Sequence, residues 1–73
     1  MVPRGLSKDW KRLAERMREV GFLFEDERRV KAFAPDGRVI ITLQKTPSAR
    51  RALQEARALF QRWCKANGIE PGV

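Results

Sequence analysis

Positively charged side chains are the groups in this sequence with the clearest capacity for chemistry. Arg28, Arg29 and Lys31 stand almost side by side, and further cations follow. Arginine can hold a phosphate through two parallel hydrogen bonds, and an aromatic ring can stack on a base beside it. The residues that we select as a candidate nucleic-acid-binding surface are Arg28, Arg29, Lys31, Phe33, Arg38, Lys45, Arg50 and Arg51.

The overall charge agrees with a polyanionic partner. The chain carries 16 Lys and Arg against 9 Asp and Glu, a formal net charge of +7. So strong a positive field suits RNA, DNA, an acidic protein surface or a membrane face. Most of the cations are Arg, which favours phosphate over the other anions. The alternative is a charge that serves solubility, with the Arg28 region protecting a strand edge from pairing.

Groups that catalyse reactions near neutral pH are scarce. The sequence has no His and a single Cys, Cys64. Arg stays protonated and cannot act as a base, whereas a His could. The acidic residues Asp26, Glu27 and Asp36 read as ordinary turn residues. We therefore expect no enzyme, no catalytic residue, no metal site and no cofactor.

Two amphipathic helices and three strands must position the cations. Ser7 is a suitable N-cap for a first helix, and Trp10, Leu13, Ala14, Met17 and Val20 recur along one face until Gly21 ends it. Strands are predicted at residues 22–25, 29–34 and 38–44, with residues 35–37 as the hairpin turn. Thr46 and Pro47 begin the second helix, which Asn67 and Gly68 end.

The predicted fold is α+β, in the order α-β-β-β-α, with a three-stranded antiparallel sheet and both helices on one of its faces. The apolar stripe of the second helix contains Ala49, Leu53, Ala56, Phe60 and Trp63. Alternation along the strands places two groups on opposite faces. The helix-facing group is Phe22, Phe24, Val39, Ile41 and Leu43. The open-face group is Leu23, Arg29, Lys31, Phe33, Ile40, Thr42 and Gln44. On the second strand the alternative is open, because Val30, Ala32 and Ala34 compete with Phe33 for the core.

Arg50 and Arg51 carry a separate indication of an anionic partner. They fall in the first turn of the second helix, the positive end of the helix dipole. Two cations there are unfavourable unless an anion lies nearby, and a helix N-terminus attracts phosphate by itself. Surface variation without function would give the same pattern.

The chain has the length of one small domain. Its 73 residues divide into an N-terminus at 1–6 that is disordered or vector-derived, one domain at 7–68 and a frayed tail at 69–73. Residues 2–5 resemble the end of a thrombin cleavage site. A lone cysteine and the lack of a signal peptide or apolar span predict a cytoplasmic protein away from membranes, monomeric or homodimeric.

The order and spacing of several short motifs resemble the HicA family, small toxins of toxin–antitoxin modules with a double-stranded-RNA-binding-like fold. The match covers roughly residues 7–68 and is nearest to the actinobacterial and phage type. Its motifs are residues 9–14 (DWKRLA), 20–22 (VGF), 34–38 (APDGR), 46–48 (TPS) and 51–53 (RAL). HicA ribonucleases carry a His on the second strand, and the corresponding position here is about Arg29. The resemblance implies the fold and an RNA-related ancestry without the nuclease.

Two functions remain open from the sequence. The first is a nucleic-acid-binding HicA-like domain without ribonuclease activity, with RNA favoured over DNA. The second is a protein-interaction module whose open sheet face or strand edge binds an acidic host or antitoxin-like partner. A toxin that cleaves RNA with unusual residues is a weaker third. Affinity for nucleic acid should fall steeply with salt, which separates the first function from the second.

Overall fold

Two helices and three strands follow one another in the order predicted. The structure, a computed structural model, describes residues 2–45 and 50–73. Its elements are α1 (Lys8–Glu19), β1 (Leu23–Asp26), β2 (Val30–Phe33), β3 (Ile40–Leu43) and α2 (Arg50–Ala66). The α+β fold is confirmed. Thr46, Pro47 and Ala49, which the sequence assigned to the start of the second helix and its stripe, lie outside the described residues.

Helix α1 exists because its apolar residues share one face. Trp10, Leu13, Ala14 and Met17 are all buried. Ser7 occupies the N-cap position as predicted, but its side chain makes no capping hydrogen bond. The chain leaves the helix through Gly21, whose φ of 102° is costly for residues with a Cβ. A turn of this kind lets the chain reverse into β1.

The three strands form one antiparallel sheet in the order β1-β2-β3. The register places Phe24, Ala32 and Ile41 in one row across the sheet, on the face that packs against the helices. The row of Leu23, Phe33 and Ile40 lies on the other face. Strand alternation therefore predicted the faces correctly on β1 and β3. On β2, where the sequence left two alternatives, Ala32 faces the core and Phe33 lies on the open face.

The β2–β3 turn is tied both to itself and to helix α2. The amide of Gly37 donates to the carbonyl of Ala34 at 2.9 Å, and Gly37 has a φ of 72°. Asp36 accepts a hydrogen bond from the backbone N–H of Arg38 at 3.0 Å. Its other carboxylate oxygen accepts one from Trp63 Nε1 at 3.1 Å. A charged side chain in the turn thus holds the hairpin against the helix.

Helix α2 supplies the second half of the core. Its buried residues are Ala56, Phe60, Trp63 and Cys64. Phe22 meets Phe60 and Trp63 edge to face, with ring centroids 5.5 and 4.8 Å apart. Residues from both helices and from one side of the sheet form a single buried cluster, so both helices cover the same face. Leu53, which the sequence assigned to the apolar stripe, packs against this cluster but is only partly buried.

Both ends of the chain contact the domain. Val2 and Leu6 pack against the core from within residues 2–6. In the stretch 69–73, for which the sequence predicted fraying, the carbonyls of Glu70 and Pro71 accept hydrogen bonds from Arg16 at 2.6 and 2.9 Å. Gln61 Nε2 donates to the carbonyl of Val73 at 2.7 Å. These contacts bring residues 70–73 against the two helices.

Candidate nucleic-acid interface

Cations gather at the end of the sheet where β2 begins and β3 ends. Arg28 and Arg29 lie in the turn between β1 and β2, and Lys45 follows β3. Since Val30 pairs with Leu43, these two segments meet at the same end of the sheet. All three residues line one open groove of about 380 Å³. We call Arg28, Arg29 and Lys45 the basic end.

The members of the basic end differ in how far their charge is already neutralised. Lys45 Nζ lies 3.2 Å from Asp26 Oδ1 and 3.3 Å from Oδ2, with both side chains partly exposed. Arg28 and Arg29 are exposed and form no ion pair with any residue in 2–45 or 50–73. The two arginines are therefore the strongest candidates to hold a phosphate, and Lys45 is shared with a carboxylate.

Helix α2 begins five chain steps after the last member of the basic end. Arg50 follows Lys45 by five chain steps, so the two lie within about 18 Å of each other even for a fully extended connection. Arg51 Nε reaches Glu55 Oε1 only at 4.0 Å, and both side chains are highly exposed. Such a loose i,i+4 pair contributes little and yields easily to a stronger anion.

Arg38 belongs to the opposite end of the sheet. It lies in the β2–β3 turn, which the antiparallel hairpin carries away from the β1–β2 turn. β2, which lies between the two turns, is four residues long, or roughly 13 Å. The sequence grouped Arg38 with Arg28, Arg29 and Lys31. The structure does not bring it there, because a hairpin separates its two turns by the length of its strands.

The open face of the sheet carries Lys31 and Phe33, as alternation predicted. Lys31 is exposed and lies opposite Glu25 on β1 and Thr42 on β3. Phe33 is partly buried, two residues further along β2. The Lys31 row is polar, which is ordinary for a solvent-facing antiparallel sheet. The Glu25 carboxylate in this row partly offsets the positive charge of Lys31.

The neighbouring row on this face is apolar from edge to edge. Leu23 pairs with Phe33 and Phe33 with Ile40, one residue from each strand. Leu23 is 72% exposed and Ile40 56% exposed. We call Leu23, Phe33 and Ile40 the apolar row. Sequence reasoning put each of them on the open face but did not select Leu23 or Ile40 as site residues. Alternation along each strand indicated the face on which these residues lie. The register that aligns them in one row could not be predicted from the sequence.

Among the described residues, the two groups whose pKa departs from its ordinary value, Asp36 and Cys64, both shift away from neutral pH. Hydrogen bonds, first from the backbone N–H of Arg38 and then from Trp63, lower the pKa of Asp36, although partial desolvation opposes them. Burial raises the pKa of the Cys64 thiol, with Arg16 acting in the opposite direction. Within residues 2–45 and 50–73 no cluster of three potential metal-ligating side chains occurs. The chemistry that this arrangement supports is the binding of anions.

Comparison with known proteins adds no relative. No family model, curated protein or solved structure matches the chain. In the part of the chain that the structure describes, neither helix is long and apolar enough to span a membrane.

Proposed function

We propose that this chain is a small nucleic-acid-binding domain of the cytoplasm, with a preference for RNA over DNA and without ribonuclease activity. The observation that carries the proposal is the pair Arg28 and Arg29, exposed at an open groove and without a carboxylate partner among the described residues. The net charge of +7 supports it. The preference for RNA and the HicA-like ancestry depend on the sequence motifs described above.

The physical basis is phosphate recognition by arginine. A guanidinium without an ion-pair partner breaks no salt bridge when it binds phosphate, and it is more weakly hydrated than an ammonium group. Its planar donors match two phosphate oxygens at once. Each phosphate that is neutralised also releases condensed counterions, which makes the affinity depend on salt. Lys45 at the end of β3 and Arg50 and Arg51 at the start of α2 are included in the proposal as further phosphate contacts.

The absence of ribonuclease activity is proposed from the available side chains. Cleavage of RNA at neutral pH needs a group that both accepts and donates a proton there. The chain has no His, and Arg29 stands where the HicA resemblance would require one. Arginine at that position can bind the scissile phosphate but cannot remove a proton from the 2′-hydroxyl.

The test is binding of a fluorescein-labelled 12-nucleotide RNA, followed by anisotropy over a range of salt concentrations. The double variant Arg28→Ala/Arg29→Ala should bind more weakly than the parent. Its plot of log affinity against log salt should be flatter by roughly 1 unit for each phosphate that the variant no longer neutralises. Its melting temperature should change little, since exposed charges contribute little to folding.

The matched control removes the same charge elsewhere. Arg62 and Lys65 are exposed on α2, and Arg62 lies about 18 Å along the helix axis from Arg50. Arg62→Ala/Lys65→Ala should keep the salt dependence of the parent. If the two double variants lose RNA affinity equally, the net charge alone accounts for binding, and the proposed site is contradicted. RNA recovered after incubation with the parent protein should be intact. RNA cleavage that disappears when one acidic residue is substituted would contradict this and would support the hypothesis of an active toxin.

A further inference from the structure

The apolar row is the feature of this molecule that the phosphate-binding role leaves unexplained. An antiparallel sheet with one face on the core normally carries polar side chains on the other. The Lys31 row follows that rule, and the row of Leu23, Phe33 and Ile40 does not. Exposed apolar residues that are contiguous, rather than scattered singly, form a candidate interaction surface.

The surroundings of the row indicate what covers it. Along β2, Lys31 is about 7 Å from Phe33 and Arg29 about 13 Å from it, counted as two and four residues of strand. Arg38 lies in the turn beyond the other side of the row, but the ionised Asp36 in the same turn opposes its charge. The positive charge without a carboxylate partner therefore lies on the Arg28 and Arg29 side of the row. An apolar surface bordered by such cations complements a flexible polyanion that carries apolar, planar groups.

From this juxtaposition we infer that the apolar row is a platform for the unpaired bases of a single-stranded nucleic acid, with Phe33 as the stacking residue. The inference depends on the nucleic-acid-binding role proposed above and narrows it to single strands. The backbone phosphates of the strand lie at Arg28, Arg29 and Lys31, on one side of the row. One base stacks on the ring of Phe33, and Leu23 and Ile40 contact its neighbours or its edges.

A duplex cannot use this surface in the same way. Its bases are stacked and paired inside the helix, and the surface that it presents consists of phosphates, sugars and groove edges. Leu23, Phe33 and Ile40 would face hydrated, charged groups and gain nothing from them. A single strand exposes the flat faces of its bases, and each base stacked on an aromatic side chain adds to the affinity regardless of sequence. The apolar row therefore discriminates between the two forms of nucleic acid.

The experiment compares one labelled RNA in two forms. The probe is the fluorescein-labelled 12-nucleotide RNA, chosen without self-complementarity, either alone or annealed to its complement. Phe33→Ala should weaken binding of the single strand by about 5-fold or more. Its affinity for the duplex should change by less than about 2-fold. Arg28→Ala/Arg29→Ala should weaken both forms, because both carry phosphates.

Three further variants guard against a folding artefact. Phe33→Tyr keeps the ring and should bind the single strand as the parent does. Phe33→Leu keeps apolar bulk without an aromatic face and should behave like Phe33→Ala. Leu59→Ala removes an apolar side chain that is 42% exposed on α2, away from the open sheet face, and should alter neither affinity. Melting curves of all variants identify any loss of structure.

The outcomes separate this inference from the proposed function. If Phe33→Ala and Phe33→Leu bind the single strand as tightly as the parent while the arginine variant is weakened, the platform is refuted and phosphate binding stands. If the parent binds the duplex as tightly as the single strand, the discrimination is refuted. If the parent binds neither form at 0.15 M salt, both proposals fail, and an acidic protein becomes the leading occupant of the row.

Discussion

Removal of the Phe60 side chain tests whether the core described here is the one that stabilises the domain. Phe60 is 0% exposed and contacts the ring of Phe22 edge to face. Phe60→Ala deletes the whole ring and leaves a cavity, which costs about 3–5 kcal/mol in a well-packed interior. A 73-residue domain has a total stability of roughly 4–11 kcal/mol, so the variant loses a large share of it.

The measurements are urea unfolding and thermal unfolding, each followed by circular dichroism and by the fluorescence of the buried Trp10 and Trp63. At roughly 4–8 °C per kcal/mol for a domain of this size, the melting temperature should fall by about 12–40 °C. Leu59→Ala is the matched control, because Leu59 neighbours Phe60 in the same helix but is 42% exposed. Its unfolding free energy should change by less than about 1 kcal/mol. Equal midpoints for the two variants would refute the packing described for α2.

Two further predictions follow from the shifted pKa values. Because the pKa of Asp36 is lowered from 3.8 on folding, its ionised form stabilises the native state above that pH, and this contribution disappears as the pH falls through the folded pKa. The stability difference between the parent and Asp36→Asn should be constant above about pH 5 and shrink below about pH 4; an unchanged difference down to about pH 2 would contradict the two hydrogen bonds. The Cys64 thiol is buried and its pKa is raised, so a disulfide reagent should label it far more slowly in the native protein than in denaturant. Equal labelling rates would show that Cys64 is not in the core.

Local sequence accounts for the elements and for the faces that they present. Trp10, Leu13 and Met17 recur at helical spacing, so α1 could bury only one side. Pro35, Asp36 and Gly37 supply the turn geometry between β2 and β3. Alternation then placed Lys31, Phe33 and Ile40 on the open face. These features were predictable because each depends on residues a few positions apart.

Tertiary structure decided which of these residues meet. Arg29 and Lys45 lie 16 positions apart and share a groove only because Val30 pairs with Leu43. Leu23 and Ile40 come from the two edge strands, and the register alone aligns them with Phe33 in one row. The register also carried Arg38 to the far end of the sheet. Strand pairing and helix docking depend on interactions summed over the whole core, so the periodicity of a single strand predicts a face but not a neighbour.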